Sequence, residues 1–587
     1  MGADFTTDQK RYLEGFASGM QAVRGARAQP AILAAPAPMG PDATHLAAQD
    51  ATTSAGKKLV DQEKWKRAEH PFDAYPRLKK QAQAGAFPKP DDNFRWRYFG
   101  LFYVGPAQTS YMARLRIPNG ILNHWQLAGM ADLATRFGGG YAHVTTRANL
   151  QIREIKPNDT VHVVEAVQDL GLCSRGSGAD NVRNVTGSAT AGIDPQELCD
   201  TRPLAGEWHH HILNDRSLYG LPRKFNVAFD GGGLIPTLEE TNDIGFQAVR
   251  IAEGQGIATD VWHRLLLGGV TGHRDFARGT GVICKAEDCS AIADAIVRVF
   301  IAHGDRTDRT KARVKYVLDA WGFEKYLAAV EEKLGRPLTR VPESAILPRA
   351  PFDRAAHIGV HPQRQDGLNW IGVALPLGKL KAEQMRGLAS IARDLGDGDI
   401  RLTVWQNLLI SGVPNGRIEE AKAAIEALGL DWKASSLRAG LVACTGATGC
   451  KFAAAHTKED AAEIADHVDA RLVLDTPINV HLTGCHHSCA QHYIGDIGLM
   501  GTKITTNDEG DQVEGYSIVV GGGFADQAKV GRELWSEVRA EDCAERIEGL
   551  LRAYLDHRQG PGESFQAFSA RHEPDALKAL ADARVTA

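Results

Sequence analysis

The chain has no apolar run that approaches the ~18–20 residues of a membrane-spanning helix. It has no large excess of either charge: 67 Lys and Arg stand against 72 Asp and Glu, a net charge of −5. That excludes a global pull toward nucleic acid, and any basic site has to be local. The start, MGADFTTDQKRYLEGF, lacks the basic and apolar regions of a secretion signal. Its Met-Gly-x-x-x-Thr pattern fits a myristoylation acceptor only formally, and the expected location is the cytoplasm. Nine cysteines, an odd number in so long a chain, do not make a disulfide framework. No GxGxxG follows a strand, and no flavodoxin-like or pyridine-nucleotide domain fits in the parts described below as unduplicated.

What is present begins with four cysteines, spaced Cys444-x5-Cys450 and Cys485-x3-Cys489 in VACTGATGCKFA and HLTGCHHSCAQHYIGDIGLMG. Thiolates grouped this way hold an iron–sulfur cluster or zinc, or else are plain thiols. Structural zinc favours tight C-x2-4-C knuckles, which the five-residue gap fits poorly; four thiolates suit a [4Fe–4S] centre. Cys485 and Cys489 are expected on one helical turn with sulfurs facing the same way. Gly446, Gly449 and Gly484 are expected where backbone approaches a bulky inorganic group. His486 and His487 read as outer groups. Cys284 and Cys289 lack a second pair and read as plain thiols, and Cys173, Cys199 and Cys543 as packing residues.

The 587 residues predict about three or four domains. Residues 7–24 read as a short helix, and 28–56, rich in Ala and Pro, as a flexible connection. A second break falls at 336–354, with four prolines. The two sides of it resemble each other. Residues 117–152 align without a gap to 375–410 at a shift of 258, and Pro118, Gly120, Leu122, Gln126, Gly129, Ala131, Ala134, Gly138, Gly140 and Asn149 all recur. Further on the shift slips by one, so that VTGSATA meets CTGATGC. This is a duplicated domain rather than a solenoid. In each copy a helical stripe marks the core: Leu127, Met130, Ala134 and Phe137, then Met385, Leu388, Ala392 and Leu395. The following segment alternates with period two, with Thr145, Arg147, Asn149 and Gln151 on its polar face.

The predicted fold class is α+β: a duplicated two-half architecture with pseudo-twofold symmetry, ferredoxin-like repeat units plus mixed α/β domains, around a central crevice. The expected units are 1–90 (helix and linker-like extension), 91–175 and 350–435 (the repeats), 176–335 and 436–560 (the α/β domains) and a tail at 561–587. Only the second half keeps the four cysteines. The first half offers cations set among Gly, Pro and apolar residues: Arg114 and Arg116, Arg147 beside Asn149, Arg183, and Arg223, Lys224 and Asn226 in GLPRKFNVAF. Buried cations need anions, either a polyanionic cofactor or a small oxyanion.

The ordered set Cx5C…TGCxxSCxQxxIxDIGLxG, TTRxNxQI, DNVRNxxG, AGID and GLPRKFN resembles the nitrite/sulfite reductase haemoprotein family over about residues 90–555. That family carries sirohaem coupled to a [4Fe–4S] cluster. The resemblance implies that Cys444, Cys450, Cys485 and Cys489 hold the cluster, with Cys489 also bridging to the sirohaem iron. It implies that Arg114, Arg183, Lys224 and Asn226 surround the substrate, and that Arg116, Arg147, Asn149 and Arg223 hold the macrocycle's carboxylates. Ferredoxin is the implied electron donor, with a separate flavoprotein subunit as the other option. The sulfite-reducing branch typically shows Lys where this chain has Asn226, and the ferredoxin-dependent nitrite-reducing branch Asn. Exchanging a cation for an amide favours the monoanion nitrite over dianionic sulfite. The alternatives are sulfite reduction at the same site, a corrin-ring oxygenase on the same scaffold, and a non-catalytic iron–sulfur protein that binds nucleic acid.

Overall fold

The computed structural model describes residues 39–585. Two five-stranded antiparallel sheets lie at its centre. One runs Leu101–Tyr103, Tyr111–Arg114, Leu150–Ile155, Tyr141–Val144, Lys379–Lys381; the other runs Gly359–Pro362, Leu368–Val373, Leu408–Pro414, Asp399–Leu402, Ile121–Asn123. Each sheet therefore ends in a strand lent by the other half: Lys379 pairs with His143, and Asn123 with Asp399. The exchange is reciprocal, which is what a pseudo-twofold axis requires.

Each lent strand leads into a helix, His124–Phe137 or Ala382–Leu395. Gln126 Oε1 accepts from the Asn123 amide at 3.1 Å while the Asn123 side chain accepts from the Gln126 amide at 3.0 Å, a reciprocal cap that starts the first helix. Gln384 repeats half of it on the Lys381 amide at 3.0 Å. The same two glutamines then donate to Leu170 O at 3.0 Å and Leu428 O at 3.1 Å. A Cβ on Gly129 or Gly387 would meet Leu170 or Leu428 at 2.3 Å in either half, so both glycines are kept by close packing. The expected stripes face this core: all eight residues are buried except Phe137, which is half-buried. One apolar core runs through both sheets.

The alternation expected over 144–152 is instead a hairpin. Val144 pairs with Leu150, and Thr145–Asn149 form the loop, closed by Thr145 N donating to Asn149 O at 2.9 Å, with Ala148 at φ 45°. The strands on either side alternate; the loop between them turns the chain back.

Each half adds an α/β unit with its own core. The first has strands Val227–Asp230, Ile244–Arg250, Val261–Leu267 and Arg278–Cys284; the second has Leu441–Ala443, Val480–Thr483, Ile497–Thr505, Gln512–Val520 and Arg532–Arg539. Pairing is parallel at Val227–Asp230 with Ile244–Arg250, and among Leu441–Ala443, Val480–Thr483 and Ile497–Thr505; the other pairs are antiparallel. A shift of 253 residues takes Val227 to Val480, Ile244 to Ile497, and Leu238 (φ 60°) to Gln491 (φ 55°).

The linker-like reading of 28–56 is corrected over its described part. Residues Ala43–Ser54 form a helix that lies against Cys289–His303, because Gln49 is buried and donates to Glu63 Oε2 at 2.9 Å. Glu63 sits between Lys66 and Arg306, an entirely buried triad in which Arg306 Nη1 is 2.6 Å from Glu63, and Lys66 Nζ donates to Leu221 O at 2.8 Å. The extension thus clamps the chain just before Arg223 and Lys224. The helix expected at 7–24 lies outside the described residues. The proline-rich break at 336–354 crosses the first α/β unit, with Arg349 paired to Asp230 at 3.1 Å.

Candidate functional site

Cys444 directly follows Leu441–Ala443, and Cys485 and Cys489 follow Val480–Thr483. Parallel pairing of these strands (Ala443 with Leu482) puts both loops at the same carboxyl end, where crevices form in such sheets. Cys444 N donates to Leu482 O at 3.0 Å, and Gly484 N donates to Cys444 Sγ at 3.2 Å. The four thiols lie in one another's field. Burial pushes the Cys489 thiol up to about 12, Cys444, Cys485 and Cys450 add to the rise, and Lys224 opposes it. Cys489 is deep in the protein yet its side chain is open to solvent, which is the signature of a crevice wall. Like-charged thiolates held together need a cationic group among them, and an all-sulfur donor set suits iron–sulfur. The residues fit a cluster.

One expectation about this loop is corrected. Residues 485–489 are a turn, closed by Ser488 N donating to Cys485 O at 3.1 Å with Ser488 at φ 52°, not a helical turn. The glycines are also kept by close contacts within the protein. A Cβ on Gly446, Gly449 or Gly484 would meet Thr457 N at 2.7 Å, Arg153 Nη1 at 2.6 Å or Ala453 Cβ at 2.6 Å, so they let protein segments approach each other. His487 Nδ1 lies 3.3 Å from Cys485 Sγ, an outer contact, and His486 is exposed.

Across the crevice stand the first-half cations. Burial lowers Arg114 to about 10 against the pull of Cys489; its guanidinium packs 4.6 Å from the Phe102 ring centre. With the Gln151 amide oriented by its hydrogen bonds, its oxygen accepts from Arg114 Nε and Nη2 at 3.1 and 3.2 Å. Arg183 donates to Ser177 O at 2.6 Å and Ala179 O at 2.7 Å and is held far below its usual range by burial, then by Arg114 and Arg223. Burial, with Arg309 next, lowers Arg223 to about 10. Lys224 falls to about 7 through burial, then Arg313, while Cys489 pulls it back up. The nearby carboxylates are already used. Asp180 is bound to Arg309 at 2.7 and 2.9 Å, and Asp243 to Arg313 at 2.6 Å.

Residues 223–226 precede the strand at Val227 rather than lying within it. They are fixed by Arg183 N donating to Phe225 O (2.8 Å), Phe225 N to Asn181 O (3.0 Å) and Asn226 N to Asp243 Oδ2 (2.8 Å). Asn226 Oδ1 is buried without a partner. Arg147 donates to Asn242 Oδ1 at 2.8 Å and Asn184 O at 2.6 Å, leaving Nε unpartnered. Arg116 donates to Val182 O at 2.6 Å, leaving Nη2 unpartnered. Asn149 is different. Its amide donates to Leu115 O and accepts from its neighbour Leu150 N, so both ends are used inside the domain.

Burying an ion without a counter-charge costs several kcal/mol. A set of cations around one crevice with its carboxylates already engaged is therefore built for an added polyanion, which sirohaem with its eight carboxylates is. The two sides also meet directly: Thr146 Oγ1 donates to Cys489 O at 3.0 Å, and Gln491 Nε2 to Thr241 Oγ1 at 3.3 Å. Sequence reasoning missed Thr146, Arg313 and Arg153. Arg153 had no clear signal, since it shares the strand Leu150–Ile155 with Gln151 and Glu154. It is buried and donates to Thr445 Oγ1 at 2.8 Å, between Cys444 and Cys450. The outlying thiols behave as expected. Cys284 and Cys289 are buried and 3.7 Å apart at sulfur, and Cys543 is buried; Cys173 and Cys199 are half-buried.

Family comparison agrees with this geometry. The nitrite and sulphite reductase 4Fe-4S domain matches residues 178–338 and 435–564, and the nitrite/sulfite reductase ferredoxin-like half domain matches 105–170 and 361–428. The chain is 33% identical over 515 residues to a ferredoxin–nitrite reductase of Synechococcus elongatus, covering 85% of this chain and 97% of that protein. It is 32% identical to the chloroplastic ferredoxin–nitrite reductase of Zea mays (80% and 83% covered) and 30% identical to sulfite reductase [ferredoxin] 1 of Mycolicibacterium paratuberculosis (89% and 96%). The solved structure of the Mycobacterium tuberculosis NirA protein superposes with a TM-score of 0.82 at 28% identity, covering 90% of this chain and 99% of that one. Duplicated half domains, a four-cysteine loop pair and a facing cage of cations make this chain a member of the nitrite and sulphite reductase family, whose cofactors are sirohaem and a [4Fe–4S] cluster.

Proposed function

We propose that the chain reduces nitrite to ammonia in the cytoplasm, with ferredoxin supplying six electrons. The observation that carries this reading is the buried group of Arg114, Arg183, Arg223 and Lys224, none ion-paired to a carboxylate among the described residues, with Arg114 and Lys224 in the field of Cys489. On this reading Cys444, Cys450, Cys485 and Cys489 hold the cluster, and Arg116, Arg147 and Arg223 hold sirohaem's carboxylates. Asn149 orders the loop that carries Arg147. The bound cofactors supply single electrons to an anion that stays in place. The protein supplies orientation and charge.

Arg114 and Arg183 neutralise the anion and the charge that develops as N–O bonds break. Lys224 is the proton donor of the set, an amine that burial brings down to about 7, below the neighbouring guanidiniums at about 10. Asn226 offers an amide instead of a second cation and so selects the monoanion. The units run 91–175, 176–335, 350–435 and 436–560. None of the described helices is long and apolar enough to cross a membrane. Steady-state kinetics of cofactor-loaded protein with reduced ferredoxin tests this: kcat/KM for nitrite exceeds that for sulfite. A sulfite preference overturns the Asn226 argument, and activity with neither overturns the reductase reading.

A further inference from the structure

On another side of the cysteine loop lies a cavity of about 270 Å³, lined by Tyr141, His143, Arg153, Lys379, Lys458 and the loop residues Thr445, Thr448 and Gly449. Three separate parts of the chain build it. His143 comes from the first-half sheet, Lys379 from the strand lent to that sheet by the second half, and Lys458 from the first turn of the helix Thr457–Asp469. The cavity exists because the strands are exchanged.

Its lining has more cations than acids. Arg153 is bound to Thr445 Oγ1 and to Gly449 O at 3.4 Å, Lys458 to Leu377 O, and Lys379 lies 4.6 Å from the Tyr141 ring centre; no carboxylate partners any of the three among the described residues. Two acids are close: Glu459, also in the lining, accepts from Thr448 Oγ1 at 2.9 Å, and Glu154 accepts from Tyr141 OH at 2.7 Å, so three cations face two carboxylates that are hydrogen-bonded to neutral hydroxyls. Two deeply buried polar atoms, Arg153 Nε and His143 Nδ1, have no partner among the described residues. Repulsion from Lys458 and Arg153, on top of burial, keeps His143 neutral. The first turn of a helix adds partial positive charge. An unfilled cage of this kind is costly in a low-dielectric surrounding.

We propose that this cavity is a second anion site, taking a carboxylate or a small tetrahedral oxyanion against the loop that carries Cys444 and Cys450. The anion bridges Lys379 and Lys458 and reaches Arg153. Its binding changes the charge that Arg153 presents to the two cysteines. Free anions and an acidic side chain of a protein donor share this chemistry.

The test is selenate, located by anomalous scattering in crystals of the holoenzyme, with phosphate calorimetry in solution. Selenate is expected in this cavity within hydrogen-bond distance of Lys458 or Arg153. It is lost in Lys379→Ala and in Lys458→Met, while any selenate beside Lys224 stays. Calorimetry shows at least tenfold weaker phosphate binding at this site in both variants. A cavity holding only water, or selenate unchanged in both variants, overturns the proposal. Lys379 is exposed, so its variant stays folded if the Lys458 variant does not. If phosphate raises the KM for ferredoxin, the occupant is a donor carboxylate; if it does not, the occupant is a free anion. The selenate map is independent of turnover, so this site and the nitrite reading fail separately.

Discussion

At the shift of 258 residues, Gly372, Ala374 and Trp405 stand where the first half has Arg114, Arg116 and Arg147. One residue further out of step, Cys444 and Cys450 stand where the first half has Val185 and Ala191, and at the shift of 253 Cys485 and Cys489 replace Gly232 and Pro236. Val185 and Ala191 are fully buried, so the first-half loop is packed core with no opening for a cluster. Conversely, Thr476 and Pro477 stand where the first half has Arg223 and Lys224.

What repeats is scaffold. Asp243 and Asp496 are both fully buried, each bound to an Arg (2.6 and 2.9 Å) and each accepting a backbone N–H, from Asn226 or Asn479, at 2.8 Å. The difference teaches that the pseudo-twofold frame was kept where it packs and changed in the loops that face the crevice. One half lacks the cations and the other lacks the thiols there. On the proposed function, electron delivery and anion binding are thereby divided between two copies of one fold.

The comparison breaks most sharply at Lys224. Lys224→Met is expected to lower kcat/KM for nitrite about 10²–10³-fold, the usual loss for one preorganised charge donor. The equivalent Pro477→Ala is expected to leave it unchanged; equal losses in steady-state assays would contradict the division. The pH profile follows from the same amine. Its pKa is depressed, so the positive charge is present below about 7 and lost as pH rises through it. Bound carboxylates raise that value, so kcat/KM falls on an alkaline limb at or above about 7, and Lys224→Arg removes the limb because guanidinium stays charged.

Asn226→Lys is a smaller change, expected to shift the sulfite-to-nitrite ratio of kcat/KM toward sulfite about tenfold, ~1.4 kcal/mol. Smallest for activity are Gly129→Ala and Gly387→Ala. Each drives a methyl into Leu170 or Leu428 at the same 2.3 Å and is expected to cost about 1–3 kcal/mol. Equal losses in denaturant unfolding would sharpen the symmetry, and unequal ones would break it.

Much of this was legible because duplication shows in one chain. The helical stripes, the glycines facing Leu170 and Leu428, the four cysteines and the cations of GLPRKFN all sit in local patterns. Three things were not. The exchange of strands Ile121–Asn123 and Lys379–Lys381 is a pairing between distant segments, and three residues carry no signal of which sheet they join. The loop Thr145–Asn149 imitates strand alternation in its sequence, because polar residues flank Ala148, yet Ala148 and Asn149 are both buried and Arg147 donates inward. Residues 43–54 read as linker because their Ala and Thr content is low in hydrophobicity, whereas their anchoring is the polar contact of Gln49 with Glu63.

The most direct test of the divided scaffold is an iron anomalous-difference map of the holoenzyme. The account predicts a compact iron peak enclosed by Cys444, Cys450, Cys485 and Cys489. It also predicts a separate iron between Cys489 and the side occupied by Arg114, Arg183 and Lys224. Iron at the Val185 and Ala191 loop, or no second iron on the cation side, would contradict it.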